Sequence, residues 1–287
     1  MTNRQLFDTI TSVRYFYKWL IPALLLFLVA GCGIHKQDIQ PDTDTSAGPD
    51  LPTKEKVWVF VMAGQSNMAG RAAIEAQDRI RNHRILTINE GNEVVTAREP
   101  LHFYEPSGAG LDCGIAFGTA MLQDLPEDVS ILLIPTAVGG SSISQWINDE
   151  THRGVQLLTN FRQRLSVAKN YGVQKGILWH QGEADAHRED RIQSYQDNLQ
   201  LLFEEFRKIG GDGSLPIVVG QLGSFATNQD AWDRINAAIT AYTLSDAQCE
   251  LVETADLQDK GDQIHFNSAA QRALGRRYAA AILSLMK

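Results

Sequence analysis

Apolar residues in this chain fall into short, β-branched runs separated by longer stretches with helical spacing. VWVFVMAG (57–64), ILLIP (131–135), GILWH (176–180), PIVVGQL (216–222) and CELVETAD (249–256) are nearly continuous in hydrophobicity, the pattern of strands buried on both faces. Between them, GIAFGTAMLQDL (114–125), VQLLTNFRQRLSVAKNYG (155–172), RIQSYQDNLQLLFEEFRKIG (191–210) and AWDRINAAITAYTLS (231–245) predict helices. A last helix is predicted over 268–287, with Asn267 as its cap. Strands alternating with helices imply a parallel sheet of about five strands covered on both faces.

In such sheets ligands sit at the carboxyl ends of the strands. Ser66 lies just past the first run, Gly139-Gly140-Ser141 past the second, Gln181-Gly182-Glu183 directly after the third, and Asp262-Gln263-Ile264-His265 after the fifth. The four clusters are expected on one rim, which would hold a serine, a histidine, an acid and hydrogen-bond donors. An acid three residues before a histidine on a tight turn can hold the imidazole tautomer while the ring reaches the serine.

The chain ahead of this domain reads differently. Arg4, Arg14 and Lys18 precede WLIPALLLFLVAG (19–31), an apolar run too short to span a bilayer comfortably and of the length of a secretory signal. The boundary Val29-Ala30-Gly31-Cys32 resembles a bacterial lipobox, so 1–31 is expected to be a lipoprotein signal peptide and Cys32 the lipidated residue. The alternatives are an ordinary signal peptide and an uncleaved anchor. Residues 32–56, polar and containing three prolines, read as a flexible tether. Residues 57–287 suffice for one large domain. The expectation is an exported bacterial lipoprotein of the cell envelope, with the outer membrane favoured by Gly33 after the cysteine.

The full chain carries a formal charge of −8, and the first 31 residues hold three basic and one acidic side chain, which leaves −10 on the remainder. No basic patch stands out, which argues against a nucleic-acid partner; an acidic surface of this kind serves solubility. No protein partner is evident. Beyond Cys32 only Cys113 and Cys249 remain, without the spacing of a zinc site. Export permits a disulfide between them, and two separate buried thiols are equally compatible with the sequence.

The blocks GQSNMAGR (64–71), AVGGSSISQW (137–146), ILWHQGEAD (177–185) and DQIHF (262–266), in that order, resemble the SGNH hydrolases. More narrowly they resemble the sialate O-acetylesterase-like branch that includes the acetylxylan esterases of carbohydrate esterase family 6. The segment EPLHFYEPSGAGLDCGIAFG (99–118) is similar to the loop those enzymes carry before their first long helix.

The resemblance implies a flavodoxin-like three-layer α/β/α sandwich and hydrolysis of sugar acetyl esters without metal or other cofactor. It makes Ser66 the nucleophile, His265 the general base and Asp262 its orienting acid. Ser66 and Gly139 or Gly140 would supply backbone oxyanion donors and Gln181 a side-chain donor. Gln181 replaces the asparagine of the wider superfamily, a change that marks the carbohydrate-esterase branch. Glu183 is read either as support for the histidine or as a purely structural residue. His180 and Asp185 are expected behind Gln181, Trp146 and Trp179 in the core, and His102, His152 and His187 in loops or on the surface. Two other readings stand beside this one: an esterase of the same fold acting on other acyl esters, and a glycan-binding surface lipoprotein without turnover. The WHQGE block speaks against the first, and the presence of Ser66, Asp262 and His265 together against the second.

Overall fold

The computed structural model describes residues 49–287. The segments expected to be a signal peptide and most of a tether, with Cys32 between them, lie outside the described residues. Before the first strand, Lys54–Lys56 forms a 3-10 turn and Leu51 packs on the core.

The strands are β1 (Val57–Gly64), β2 (Ile85–Ile88), β3 (Val94–Thr96), β4 (Ser130–Pro135), a small hairpin of β5 (Thr151–His152) and β6 (Val155–Gln156), then β7 (Val173–His180), β8 (Ile217–Gly220) and β9 (Cys249–Val252). The helices are α1 (Ser66–Ala69), α2 (Gly114–Asp124), α3 (Ile143–Ile147), α4 (Leu157–Ala168), α5 (Glu189–Gly210), α6 (Gln229–Ser245) and α7 (Ser268–Leu285). The main sheet has seven strands in the order β3-β2-β4-β1-β7-β8-β9, all parallel except β3, which runs antiparallel to β2.

The sheet therefore exceeds the five strands expected. The two additional ones, ILTI and VVT, form an edge hairpin around Asn89–Glu93 and are too short to stand out as apolar runs. Their register is held by long-range pairing instead, with Leu86 opposite Leu132 of β4.

Side chains alternate across the sheet as strand geometry requires. Val57, Val59, Val61 and Ala63 face the layer of α3, α4, α5 and α6, while Phe60 and Met62 face α2 and α7. Helix α5 shows why its sequence folds so: Ile192, Tyr195, Leu199, Leu202, Phe203 and Phe206 make one apolar stripe. Acidic residues open that helix, Arg207 and Lys208 close it, and Gly211 at φ +73° terminates it in the left-handed conformation. Asn267 caps α7, its side chain accepting the Ala270 N–H.

The chain lays β2, β3 and β4 on one side of β1 and then crosses to β7 on the other. The carboxyl end of β1 is thus where strand order reverses, the place in an open α/β sheet where a crevice forms.

Candidate active site

β1 ends at Gly64, whose φ of +132° is open to glycine, and a Cβ there would run into the His180 carbonyl. That carbonyl accepts the Gln65 N–H at 2.9 Å, and the chain turns at once into α1. Ser66 is the first residue of this short helix; the cap position is Gln65. Ser66 is therefore not a helix cap, and its hydroxyl has another partner: Oγ lies 3.0 Å from His265 Nε2.

The histidine comes from the turn between β9 and α7. Asp262 Oδ2 is 2.7 Å from His265 Nδ1, and its Oδ1 accepts the backbone N–H groups of Ile264 and His265 at 3.0 and 2.8 Å. With Nδ1–H donating to the carboxylate, Nε2 is left as the acceptor that faces Ser66. Gln263 holds a φ of +60° so that the turn can close, and Asp259 Oδ2 accepts both the Gly261 and Gln263 N–H groups.

A residue that motif reading passed over ties the two segments together. Asn67 accepts the Phe266 N–H at 3.0 Å and donates to the Ile264 carbonyl at 3.0 Å, so its amide grips the backbone on both sides of His265. The same Nδ2 donates to Glu183 Oε1 at 2.6 Å, and the Asn67 carbonyl accepts from Gln271 Nε2 on α7. Glu183 is thereby linked through Asn67 to the turn that carries His265. The only hint in the sequence was the asparagine directly after Ser66.

The second cluster is stitched to the end of β1: Val138 N–H and Ser141 Oγ both donate to the Gly64 carbonyl. Of the two glycines, Gly139 is buried and its N–H donates to Glu105 Oε2 at 2.6 Å, so that donor is already engaged. Gly140 is exposed at φ +75°, and no hydrogen bond from its N–H occurs among the described residues.

Gln181 departs from its expected place. Its side chain is fully buried, with Nε2 at 2.9 Å from the Ser141 carbonyl and 2.6 Å from Asp185 Oδ2, and its Oε1 accepts from Tyr195. Both amide hydrogens have protein acceptors, the Ser141 carbonyl and Asp185, while Tyr195 of α5 donates to the amide oxygen. Gln181 thus links the second and third clusters rather than presenting its amide outward.

Burial sets the electrostatics. It lowers His265 below the ordinary histidine value, aided by the nearby positive charges of Lys260 and Arg71, against the opposing pull of Asp262. The adjacent Asp262 by itself would raise the value, and burial outweighs it. Asp262 itself is raised by burial but lowered further by the hydrogen bonds from the His265 ring and the two backbone N–H groups, ending at about 2. Glu183 is pushed up to about 7 by burial, against the opposing pull of the Asn67 hydrogen bond and a backbone N–H. Burial drives His180 down to about 3. The 3.8 Å approach of His180 Nε2 to Glu183 is therefore a contact between two groups that both resist charge.

Trp146 and Trp179 are wholly buried and meet edge to face at 5.6 Å, as core residues. Asp185 accepts from Gln181 and from the Ile143 N–H behind the site. His102 lies in a loop, one of the two places expected, but is buried there, 3.0 Å from Asp112. Cys113 and Cys249 are both free and buried, packed in the two opposite layers of the sandwich.

The chain matches the family model "Carbohydrate esterase, sialic acid-specific acetylesterase" over residues 56–284. A relative from Arabidopsis thaliana, described as a probable carbohydrate esterase, is 30% identical over 244 residues, which is 79% of this chain and 90% of the relative. The crystal structure of an Arabidopsis thaliana protein superposes with a TM-score of 0.71 at 28% identity, covering 81% of this chain and 99% of that one. NanS superposes at 0.61 with 16% identity, over 82% and 99% of the two chains. A carbohydrate acetylesterase from Xanthomonas citri gives 0.61 at 19% identity, over 80% of this chain and 56% of that one. The last two, at such identities, speak for the fold. With four motif blocks gathered at the carboxyl ends of one parallel sheet and a family match spanning the folded domain, this chain belongs to the carbohydrate esterase family of sialic acid-specific acetylesterases.

Proposed function

We propose that the protein is a serine esterase that removes O-acetyl groups from carbohydrates through an acetyl-enzyme intermediate. The observation that carries this reading is the hydrogen-bonded series Ser66 Oγ, His265 Nε2, His265 Nδ1, Asp262 Oδ2, with spacings of 3.0 and 2.7 Å across its two links.

In this mechanism Ser66 Oγ attacks the acetyl carbonyl carbon while His265 Nε2 takes the hydroxyl proton. The oxyanion that forms is met by the N–H of Ser66, which as the first residue of α1 has no intrahelical partner, and by the open N–H of Gly140. Collapse of the tetrahedral intermediate breaks the bond to the sugar oxygen, and the imidazolium returns its proton to that oxygen. Water then attacks the acetyl-enzyme, again giving its proton to His265, and acetate leaves. Asp262 holds the tautomer and stabilises the imidazolium at each stage.

The substrate is an acetylated sugar, of the acetylxylan or the acetylated sialic acid kind. Arg71, Arg153 and Lys260 lie near the site, the two arginines paired with Glu105 and the lysine with Asp262, so their charge is met within the protein and does not choose between these sugars. Acetylated xylooligosaccharides, acetylated sialic acids and a short-chain chromogenic ester, offered to the wild type and to Ser66→Ala, test both levels. Turnover of a sugar ester by the wild type, with Ser66→Ala reduced by several orders of magnitude, is the expected result. A Ser66→Ala protein that retains more than about a percent of activity removes the nucleophile assignment. From its sequence we further propose that a lipid on Cys32 anchors this domain to the bacterial cell envelope.

A further inference from the structure

The hairpin of β5 and β6 stands over the Gly139-Gly140 turn, and none of the motif blocks includes it. Its two-residue tip is Arg153-Gly154, at φ +49° and +82°. A tip with both residues at positive φ is the tight hairpin turn that favours Asn-Gly, so an arginine there is held against its preference. The Arg153 guanidinium bonds to Glu105, the same carboxylate that accepts the Gly139 N–H and the Arg71 guanidinium, each at 2.6 Å. The hairpin is thereby fixed in position, and with it His152.

His152 Nε2 lies 3.0 Å from the Gly139 carbonyl oxygen, and its Nδ1 lies 3.4 Å from Gln145 Nε2. The proton can be placed by elimination. Gln145 Oε1 accepts the Ser142 N–H at 3.0 Å, which turns the amide nitrogen of Gln145 toward the histidine. An amide nitrogen only donates, so Nδ1 of His152 must carry the lone pair and Nε2 the hydrogen. That hydrogen points at the Gly139 carbonyl. The Gly139 carbonyl and the Gly140 N–H belong to one peptide group, so a donor on the oxygen draws electron density away from the nitrogen and makes the N–H a stronger donor.

We propose that His152 is a positioning residue of this esterase: through the Gly139 carbonyl it orients and polarises the Gly140 N–H that receives the oxyanion. Glu105 holds the preceding N–H of the turn, so the Gly139 residue is gripped at both ends and the open N–H is preorganised before substrate arrives. The inference rests on the serine-esterase reading above.

The test uses the full chain and the short-chain chromogenic ester, with active sites counted by a fluorophosphonate so that rates refer to competent enzyme. His152→Phe keeps a ring and loses the donor, whereas His152→Gln keeps an N–H of similar reach. For His152→Phe, kcat should fall about tenfold to a hundredfold with KM within about twofold, somewhat less than deletion of an oxyanion donor. The affinity for an alkyl boronic acid, which forms a tetrahedral adduct on Ser66, should fall by the same factor, and the pH of half-maximal activity, governed by His265, should stay in place. His152→Gln should recover most of both losses. A His152→Phe enzyme with wild-type kcat and boronate affinity, or one whose defect lies in KM alone, overturns the inference. Ser66→Ala run alongside separates the two levels: if it stays active the proposed function falls and this inference with it, whereas an inactive Ser66→Ala beside a fully active His152→Phe removes the inference alone.

Discussion

Asn67 Nδ2 donates to Glu183 Oε1 at 2.6 Å, joining the residue after the candidate nucleophile to a buried carboxyl at the end of the neighbouring strand. Asn67 also grips the peptide groups before and after His265. Replacing it with alanine leaves the Phe266 N–H and the Ile264 carbonyl without their partner, a loss on the order of 1–3 kcal/mol for buried groups. Asn67→Ala should therefore lower Tm and, because His265 loses its register with Ser66, lower kcat more than KM. Kinetics on the folded variant decide this: wild-type kcat in Asn67→Ala would show that the histidine turn holds its place unaided.

The burial of Glu183 makes a prediction about stability and pH. Its carboxyl titrates near 4.5 in the unfolded chain and at about 7 in the fold. Between these values the unfolded chain gives up the proton while the folded protein keeps it, so the contribution of Glu183 to stability declines as pH rises through this window and levels off above 7. His180, held neutral to about pH 3 in the fold but protonated below about 6.5 when unfolded, contributes the opposite slope over the lower part of this range, so the Glu183 contribution is read from the difference between variants. Glu183→Gln keeps an acceptor for Asn67 and has nothing to ionise. Its stability relative to wild type should improve on the order of 3 kcal/mol between pH 4.5 and 8. Urea unfolding at several pH values reads this directly, and a constant difference would show that Glu183 titrates normally.

For activity, the working form of His265 is the neutral one. Burial depresses its pKa, so the neutral base persists to lower pH than for a free histidine, and the acid limb of kcat/KM should have its midpoint below 6.5. Asp262→Asn removes the one strong contribution that raises this pKa; the midpoint should shift further down while the rate drops by about four orders of magnitude through loss of the tautomer. A wild-type midpoint at 7 or above would mean that Asp262 outweighs burial.

The anchor proposal is read by fractionation. Cys32→Ser should move the protein from the membrane fraction to the soluble one, since a multiply acylated terminus holds firmly where no lipid leaves only a tether. A variant that still sediments with membranes would point to residues 19–31 as an uncleaved anchor.

The periodicity of the apolar runs was enough to place β1, β4, β7, β8, β9 and the five long helices and to predict that these strands run parallel, because buried strands and amphipathic helices write their burial into consecutive residues. The motif blocks singled out Ser66, Asp262 and His265, and the structure brings the three within hydrogen-bond distance; the Asp-x-x-His turn was legible because its geometry lies within four residues. Elsewhere the outcome depended on partners far along the chain. The strands ILTI and VVT acquire their place only by pairing with β4 and with each other. Gln181 turns inward because Tyr195 and Asp185 reach it, Gly139 is engaged because Glu105 crosses from another loop, and Asn67 matters because Ile264 and Phe266 arrive beside it from almost 200 residues away. The direction of the His265 shift belongs to the same class: the adjacent aspartate is visible in the sequence, whereas the desolvation that outweighs it is a property of how the layers close around the ring.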